Sequence, residues 1–410
     1  MSDLGLRGVS LLGFVALIGL AWLLSSDRRA FPTRTVAWGV VLQLALGALL
    51  IQSPIGRAFF AGVNALVSRF LGYTEAGTRF VFGPLMETGV SFALNVLPVI
   101  VFMGSFLAVL YHLGLVQRVV DVLAFLLSRS MKLSGAESLA AVANVFLGMV
   151  ESALVVKPYL ERMTRSELFS LMTVGMATVA GSILLAYVSV LGGGDFAGHL
   201  VTASLLSAPA GLLIAKVMAP EDGVPETVAG TPARIEVDSV NVIDAAATGA
   251  LNGLRLAAYV GTMLIAFVAL IAFSNDLLAS LGELVGLPGL SLQKVLGWLL
   301  APLSFAMGVP WADAQQVGAL MGMKTILNEF IAYQELGRAI AAGEIGERAA
   351  IIASYALCGF ANFGSLAILL GGIGGMAPGR RRDVAELGLR SIAAGTLATM
   401  MTGCVAGIFL

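Results

Sequence analysis

Eight times along this chain a stretch of about twenty residues passes with almost no charged side chain: 8–25, 36–56, 88–113, 168–190, 197–217, 256–274, 349–375 and 389–410. Each is long enough, as a helix, to cross a hydrocarbon layer of about 30 Å, which takes roughly 20 apolar residues. Backbone in lipid must satisfy its own hydrogen bonds, and these lengths do so only as helices. The chain therefore reads as an all-α integral membrane protein of eight transmembrane helices, with membrane lipid as its first partner. Composition agrees, since 58% of residues are apolar and 12% charged, against roughly a quarter charged in soluble domains.

The same balance excludes several functions. A formal net charge of −1 and no basic stripe leave nothing to hold a nucleic acid. The two cysteines, Cys358 and Cys404, each sit within an apolar stretch and offer neither a disulfide framework nor a thiolate metal site. The first apolar segment is followed by Ser26-Asp27-Arg28-Arg29 without a small-residue cleavage site, so it reads as a retained span rather than a signal peptide. Arg28, Arg29 and Arg34 place the first loop in the cytoplasm by the positive-inside rule, with the N-terminus outside. An even number of spans puts the loop bearing Arg380-Arg381-Arg382 on the same side, so the two most basic short loops agree. A bacterial inner membrane is the expected location.

Between the spans, residues 57–75 place Phe59, Phe60, Val63, Leu66, Val67 and Phe70 at near-helical spacing beside Arg57 and Arg69, the pattern of an interfacial amphipathic helix. Residues 220–243 form a polar linker, with Glu221, Asp222, Glu226, Glu236 and Asp238, that divides the chain into halves. Residues 133–160 and 312–335 are apolar yet interrupted by glycine and polar side chains, which predicts two re-entrant hairpins. Each precedes a helix with its own interruption, Thr178-Val179-Ala180-Gly181-Ser182 in one half and Ala361-Asn362-Phe363-Gly364-Ser365 in the other. Interrupted segments at corresponding places in two halves are the sequence mark of a secondary transporter's binding site.

Two carboxylates lie inside these hairpins, Glu151 and Glu329. A carboxylate in hydrocarbon costs about 2.5–3.5 kcal/mol on insertion scales, so each should face a partner, an ion or a wet cavity. The alternative is a brace to Lys157 or Lys324. Asn144, Thr178, Ser182, Asn362 and Ser365 add amide and hydroxyl oxygens at the same places, suited to a hard cation or a polyhydroxylated substrate. His112 and His199 lie outside these clusters, and no nucleophile–base pair or metal motif accompanies them, so a membrane enzyme is not expected.

Residues 80–83 (FVFG), 91–117, 308–311 (GVPW), 322–333 (GMKTILNEFIAY) and 355–365 (YALCGFANFGS) resemble the concentrative nucleoside transporter family, from about residue 8 to the C-terminus. The resemblance implies an inverted repeat, an elevator-type protomer and a homotrimer. It implies an N-terminal region over 8–84, a gate region with the first hairpin over 88–195 and a C-terminal region with the second over 197–410. It further implies that Glu329, Asn362 and Ser365 bind ribose hydroxyls, with Phe360 and Asn328 on the same side and Glu151 and Ile183 near the base. A sodium site is implied from the side chains of Asn144 and Thr178 with the carbonyls of Leu147 and Val179. One departure stands out: Met149 and Val150 occupy the places where the family usually has an amide and a hydroxyl to read the base. Sodium is the implied coupling ion, nucleoside the implied substrate. The two membrane carboxylates would also suit protons, and the altered base side would also suit a modified nucleoside or another polar metabolite.

Overall fold

The structure is a computed structural model and describes residues 3–87, 92–193, 196–227, 239–284 and 286–410. The regular structure of the described residues is helical, with α-helices in the order α1 (Asp3–Leu23), α2 (Thr33–Gly47), α3 (Pro54–Phe82), α4 (Phe92–Asn95), α5 (Leu97–His112), α6 (Leu115–Met131), α7 (Gly135–Phe146), α8 (Met149–Val155), α9 (Lys157–Leu160) and α10 (Arg165–Ala177). There follow α11 (Gly181–Val190), α12 (Ala197–Met218), α13 (Val242–Leu284), α14 (Leu292–Ala306), α15 (Trp311–Ile326), α16 (Glu329–Ala341), α17 (Glu347–Leu357), α18 (Phe363–Met376) and α19 (Arg381–Phe409).

Seven helices or helix pairs are long and apolar enough to span a membrane, and they coincide with seven of the predicted spans. The eighth, 349–375, is broken into α17 and α18, neither of which has the length alone. The span predicted over 256–274 is the middle of a 43-residue helix, α13. The helix predicted over 57–75 likewise extends to 29 residues in α3, begun by Ser53, whose hydroxyl accepts from the Gly56 amide with Pro54 in the first turn. Residues 88–91 of the third predicted span, and Glu236 and Asp238 of the linker, lie outside the described residues.

Both hairpins form. The first runs from α7 through α8 and α9, and the second is α15 and α16. Two helices preceding them, α6 and α14, have no counterpart in the sequence reading. α14 and α15 meet at a bend of 117°, and α15 continues into α16 as the second hairpin.

The order spanning helix, non-spanning helix, hairpin, broken helix, closing helix thus occurs twice, from α5 to α12 and from α13 to α19. A hairpin returns to the side it enters, so corresponding spans in the two units are three crossings apart. An odd offset reverses direction, which makes the repeat inverted. The halves interlock: α8 packs on α18, α11 on α16, α10 on α19 and α12 on α17, while α5 lies along α13. That last contact needs glycine. A Cβ on Gly104 would stand 2.6 Å from the Gly249 carbonyl oxygen, and one on Gly253 would stand 2.7 Å from that of Ile100. Small residues at such crossings let membrane helices meet backbone to backbone.

Burial is uneven. The spans α10–α11 and α12 are 89% buried inside the protomer, whereas the most apolar window of α13 is only 11% buried, presenting Leu254, Ile265, Val268 and Phe273 outward. Beneath the first hairpin, buried Lys216 reaches Glu137 at 2.8 Å and Glu221 at 3.0 Å, and donates to Ser166. This ties the start of α7 to α10 and to the end of α12.

Candidate functional site

The four breaks in the two halves converge. Between α7 and α8 the chain turns at Leu147 and Gly148, whose φ of +119° suits glycine alone. Space there is also short, since a Cβ on Gly148 would lie 3.0 Å from Glu151 Oε2 and 3.2 Å from the Ala180 methyl. Between α15 and α16 the turn is made at Leu327 and Asn328. The broken helices open at 178–180 and at 358–362.

A cavity of about 190 Å³ lies among these breaks. Its walls include Leu147, Met149, Val150, Glu151 and Ile183 from the first half, and Asn328, Glu329, Phe360, Asn362 and Ser365 from the second. All nine residues assigned to substrate from the sequence are therefore in one place. Ser182 joins them, and a stripe of α13 closes the remaining side with Leu256, Tyr259, Val260, Met263 and Phe267.

Helix ends explain how carboxylates persist here. Glu329 is the first residue of α16 and Glu151 the third of α8, where unpaired amides and the helix dipole favour negative charge. Glu329, only 7% exposed, accepts from the Tyr187 hydroxyl at 2.9 Å and from the Asn362 side-chain amide at 2.8 Å. Lys324 does not brace it; its ammonium donates to the Ala356 carbonyl and to Thr399. Glu151 instead opens into the cavity and is exposed.

The asparagines have structural duties that the sequence reading did not assign. Asn328 caps α16, its Oδ1 accepting from the Ile331 amide at 2.9 Å, and Asn362 caps α18 by accepting from the Ser365 amide at 2.7 Å. With its amide nitrogen given to Glu329, Asn362 shapes the carboxylate as much as it faces the cavity. Tyr187 is the residue missed altogether. It is fully buried on α11, stacked on Tyr333, and a buried tyrosine hydroxyl seeks a partner.

The remaining four residues, those assigned to an ion, gather beside the cavity at the ends of α7 and α10. Leu147 belongs to the cavity wall, while Asn144, Thr178 and Val179 lie behind it, each at most 1% exposed. The Asn144 amide nitrogen donates to the Val174 carbonyl at 2.9 Å and to the Thr178 hydroxyl. Asn144 Oδ1 faces the Ser152 hydroxyl at 3.4 Å. Two helices direct their C-terminal carbonyls here, the end of a helix that attracts cations. The donor set is neutral oxygen throughout, and among the described residues no three His, Cys, Asp or Glu cluster to hold a transition metal.

An inverted repeat with two hairpins and two broken helices around a polar, mid-chain cavity is the architecture of a secondary transporter. Comparison carries this further. The profile described as "Na+ dependent nucleoside transporter C-terminus" matches residues 199–407, its N-terminal companion matches 12–85, and one described as "Nucleoside recognition" matches 93–194. The uncharacterized transporter YutK of Bacillus subtilis is 46% identical over 403 residues, covering 98% of both chains. Solute carrier family 28 member 3 of Mus musculus is 41% identical over 98% of this chain and 58% of its own length. The solved structure of CNTnw in an inward-facing, substrate-bound state superposes with a TM-score of 0.92 at 43% identity, covering 98% of each chain. This chain belongs to the Na+-dependent, concentrative nucleoside transporter family. It is a multi-pass membrane transporter and not an enzyme.

Proposed function

We propose that this transporter holds the ribose of a nucleoside against the second half of the cavity and the base against the first, with sodium taken up at Asn144 and Thr178. The observation that carries this is Glu329: a buried carboxylate, oriented by Tyr187 and Asn362, beside the Ser365 hydroxyl in the cavity wall. It is placed to accept from sugar hydroxyls, and a charge-assisted bond of that kind is stronger than a neutral one. Leu147 and Val179 would give carbonyls to the ion. Because the ion residues lie on α7 and α10, and Met149, Val150 and Glu151 follow directly on α8, ion uptake and closure of the first hairpin share one backbone turn. Movement of the hairpins with their broken helices against α5 and α13, as an elevator, fits the apolar wall that α13 presents.

The base side is different in kind. Met149, Val150 and Ile183 present an apolar surface, leaving Glu151 and Ser182 as its polar groups. An apolar pocket separates ligands by only about 1–3 kcal/mol, whereas a site built for a hydroxyl rejects analogues that lack it by larger factors. Purine and pyrimidine ribonucleosides are therefore expected to compete for uptake within about tenfold of one another, about 1.4 kcal/mol. Loss of ribose hydroxyls should cost more than any change of base. A panel of ribonucleosides, deoxyribonucleosides and free bases on purified protein in liposomes tests this. Sharp choice of one base, with indifference to the sugar, would instead favour a modified nucleoside or other polar metabolite as the cargo.

A homotrimer is proposed on the outward apolar face of α13, which one protomer alone leaves uncovered. Native mass spectrometry in mild detergent should give three times the 42.4 kDa of the chain, and a monomer would refute it.

A further inference from the structure

The two hairpins keep the same register around their breaks. Asn144 stands two residues before the last residue of α7 and three before Leu147; Lys324 stands two before the last residue of α15 and three before Leu327. Each side chain turns the same way, toward the C-terminal turn of the broken helix in its own half. Asn144 reaches the Val174 carbonyl in α10, and Lys324 reaches the Ala356 carbonyl in α17 at 2.9 Å. A threonine hydroxyl lies beside each, though from different elements: Thr178 at the end of α10 beside Asn144, and Thr399 of α19 at 2.8 Å from Lys324 Nζ.

Lys324 is 1% exposed, and both of these partners are neutral oxygens. A buried ammonium is costly unless its surroundings offset it. Here the offset comes from the Ala356 carbonyl in the last turn of α17, the end of a helix that favours a cation, from the Thr399 hydroxyl and from the attraction of the Glu329 carboxylate. The positions of Asn144 and Lys324 are equivalent under the inverted repeat.

We propose that Lys324 is a built-in cation, occupying in the second half the position where the first half takes up an exchangeable sodium ion. This rests on the sodium reading given above. The tethered charge keeps the second hairpin joined to its broken helix whatever the ionic conditions, so Glu329, Asn328 and Asn362 stay arranged. Only the first hairpin then responds to sodium. Lys324 is a positioning residue, acting through the hairpin turn and not by touching nucleoside.

The test uses purified full-length protein in detergent and uridine affinity by calorimetry across a range of sodium, with choline as the balancing cation. Lys324→Met, which keeps bulk and loses charge, is expected to weaken uridine binding at least tenfold at every sodium concentration. Lys324→Asn recreates the residue of the first hairpin at the same register. Its affinity, low at sodium that saturates the wild type, is expected to recover when sodium is raised a further tenfold, and not with choline. Both variants should retain the sodium-induced rise in melting temperature of the substrate-free protein, since the first site is untouched. Lys324→Met binding uridine within twofold of wild type would overturn the proposal, as would identical sodium curves for the two variants. Should wild-type affinity ignore sodium, the Asn144 assignment falls, and Lys324→Met still decides whether the tethered charge matters.

Discussion

Glu329→Gln should lower nucleoside affinity by one to two orders of magnitude while leaving the protein folded. Glutamine keeps the volume and leaves the Asn328 cap of α16 intact, but it surrenders the charge that draws in the Tyr187 hydroxyl, the Asn362 amide and the sugar hydroxyls. Hydrogen bonds to a charged group contribute about 1.5–3 kcal/mol, and each 1.4 kcal/mol is a factor of ten. Calorimetry with uridine and adenosine gives the number directly. Tyr187→Phe is the control for indirect effects: it removes one donor to the carboxylate but leaves the charge and the Asn362 amide in place, so it should weaken binding by a smaller factor. A Glu329→Gln protein with wild-type affinity would return this carboxylate to a packing role.

Asn144→Ala should raise the sodium concentration for half-maximal uptake at least tenfold. The substitution removes Oδ1, and it also frees Thr178 and the Val174 carbonyl from the amide that now holds them in place. Thr178→Val, nearly isosteric, removes one oxygen and keeps that packing, so its shift should have the same sign. Sodium-dependent uptake in liposomes measures both, and melting in sodium-free buffer separates loss of ion from loss of fold. Uptake that follows a proton gradient and ignores sodium in the wild type would transfer the coupling to protons and leave Asn144 a structural residue.

What could be read from the sequence tracks the kind of force involved. Length and lack of charge suffice for a span, because the bilayer is a solvent of fixed thickness, and seven helices or helix pairs appear where hydropathy places them. The interruptions at 178–182 and 361–365 are legible because glycine and polar residues break otherwise apolar runs; the helices open at 178–180 and 358–362, so the second break begins three residues earlier than read. Helices α6 and α14 are not legible. The first mixes charges into an amphipathic 17 residues, and the second stops at 15 with Pro302 inside, so neither resembles a span. The extension of α13 to 43 residues runs beyond the apolar core at both ends, where hydropathy is silent about helix. Within the site, residue types at the breaks pick out Glu151, Ser182, Glu329, Asn362 and Ser365, and the family resemblance supplies Met149, Val150, Ile183, Asn328 and Phe360 of the cavity lining. They could not distinguish a ligand from a cap, which is why Asn328 and Asn362 first read only as substrate groups. Tyr187 escaped because its partner Glu329 is 142 residues away, and only the fold brings them together.

The stripe of α13 that faces the cavity bears on how freely the rest can move. Leu256, Tyr259, Val260, Met263 and Phe267 share the side of α13 that meets the cavity, on a helix about 65 Å long at 1.5 Å per residue, roughly twice the hydrocarbon thickness. Such a helix is long enough to cross the hydrocarbon and continue beyond it. Hydrogen bonds across a sliding contact would act as notches, each holding the moving side at one height, whereas dispersion between hydrocarbon surfaces varies little with displacement. A wall so poor in polar groups is a rail without teeth. In the elevator proposed above, Tyr259 would be the one polar side chain of this stripe within reach of the nucleoside's hydroxyls, and cargo and carrier would travel together.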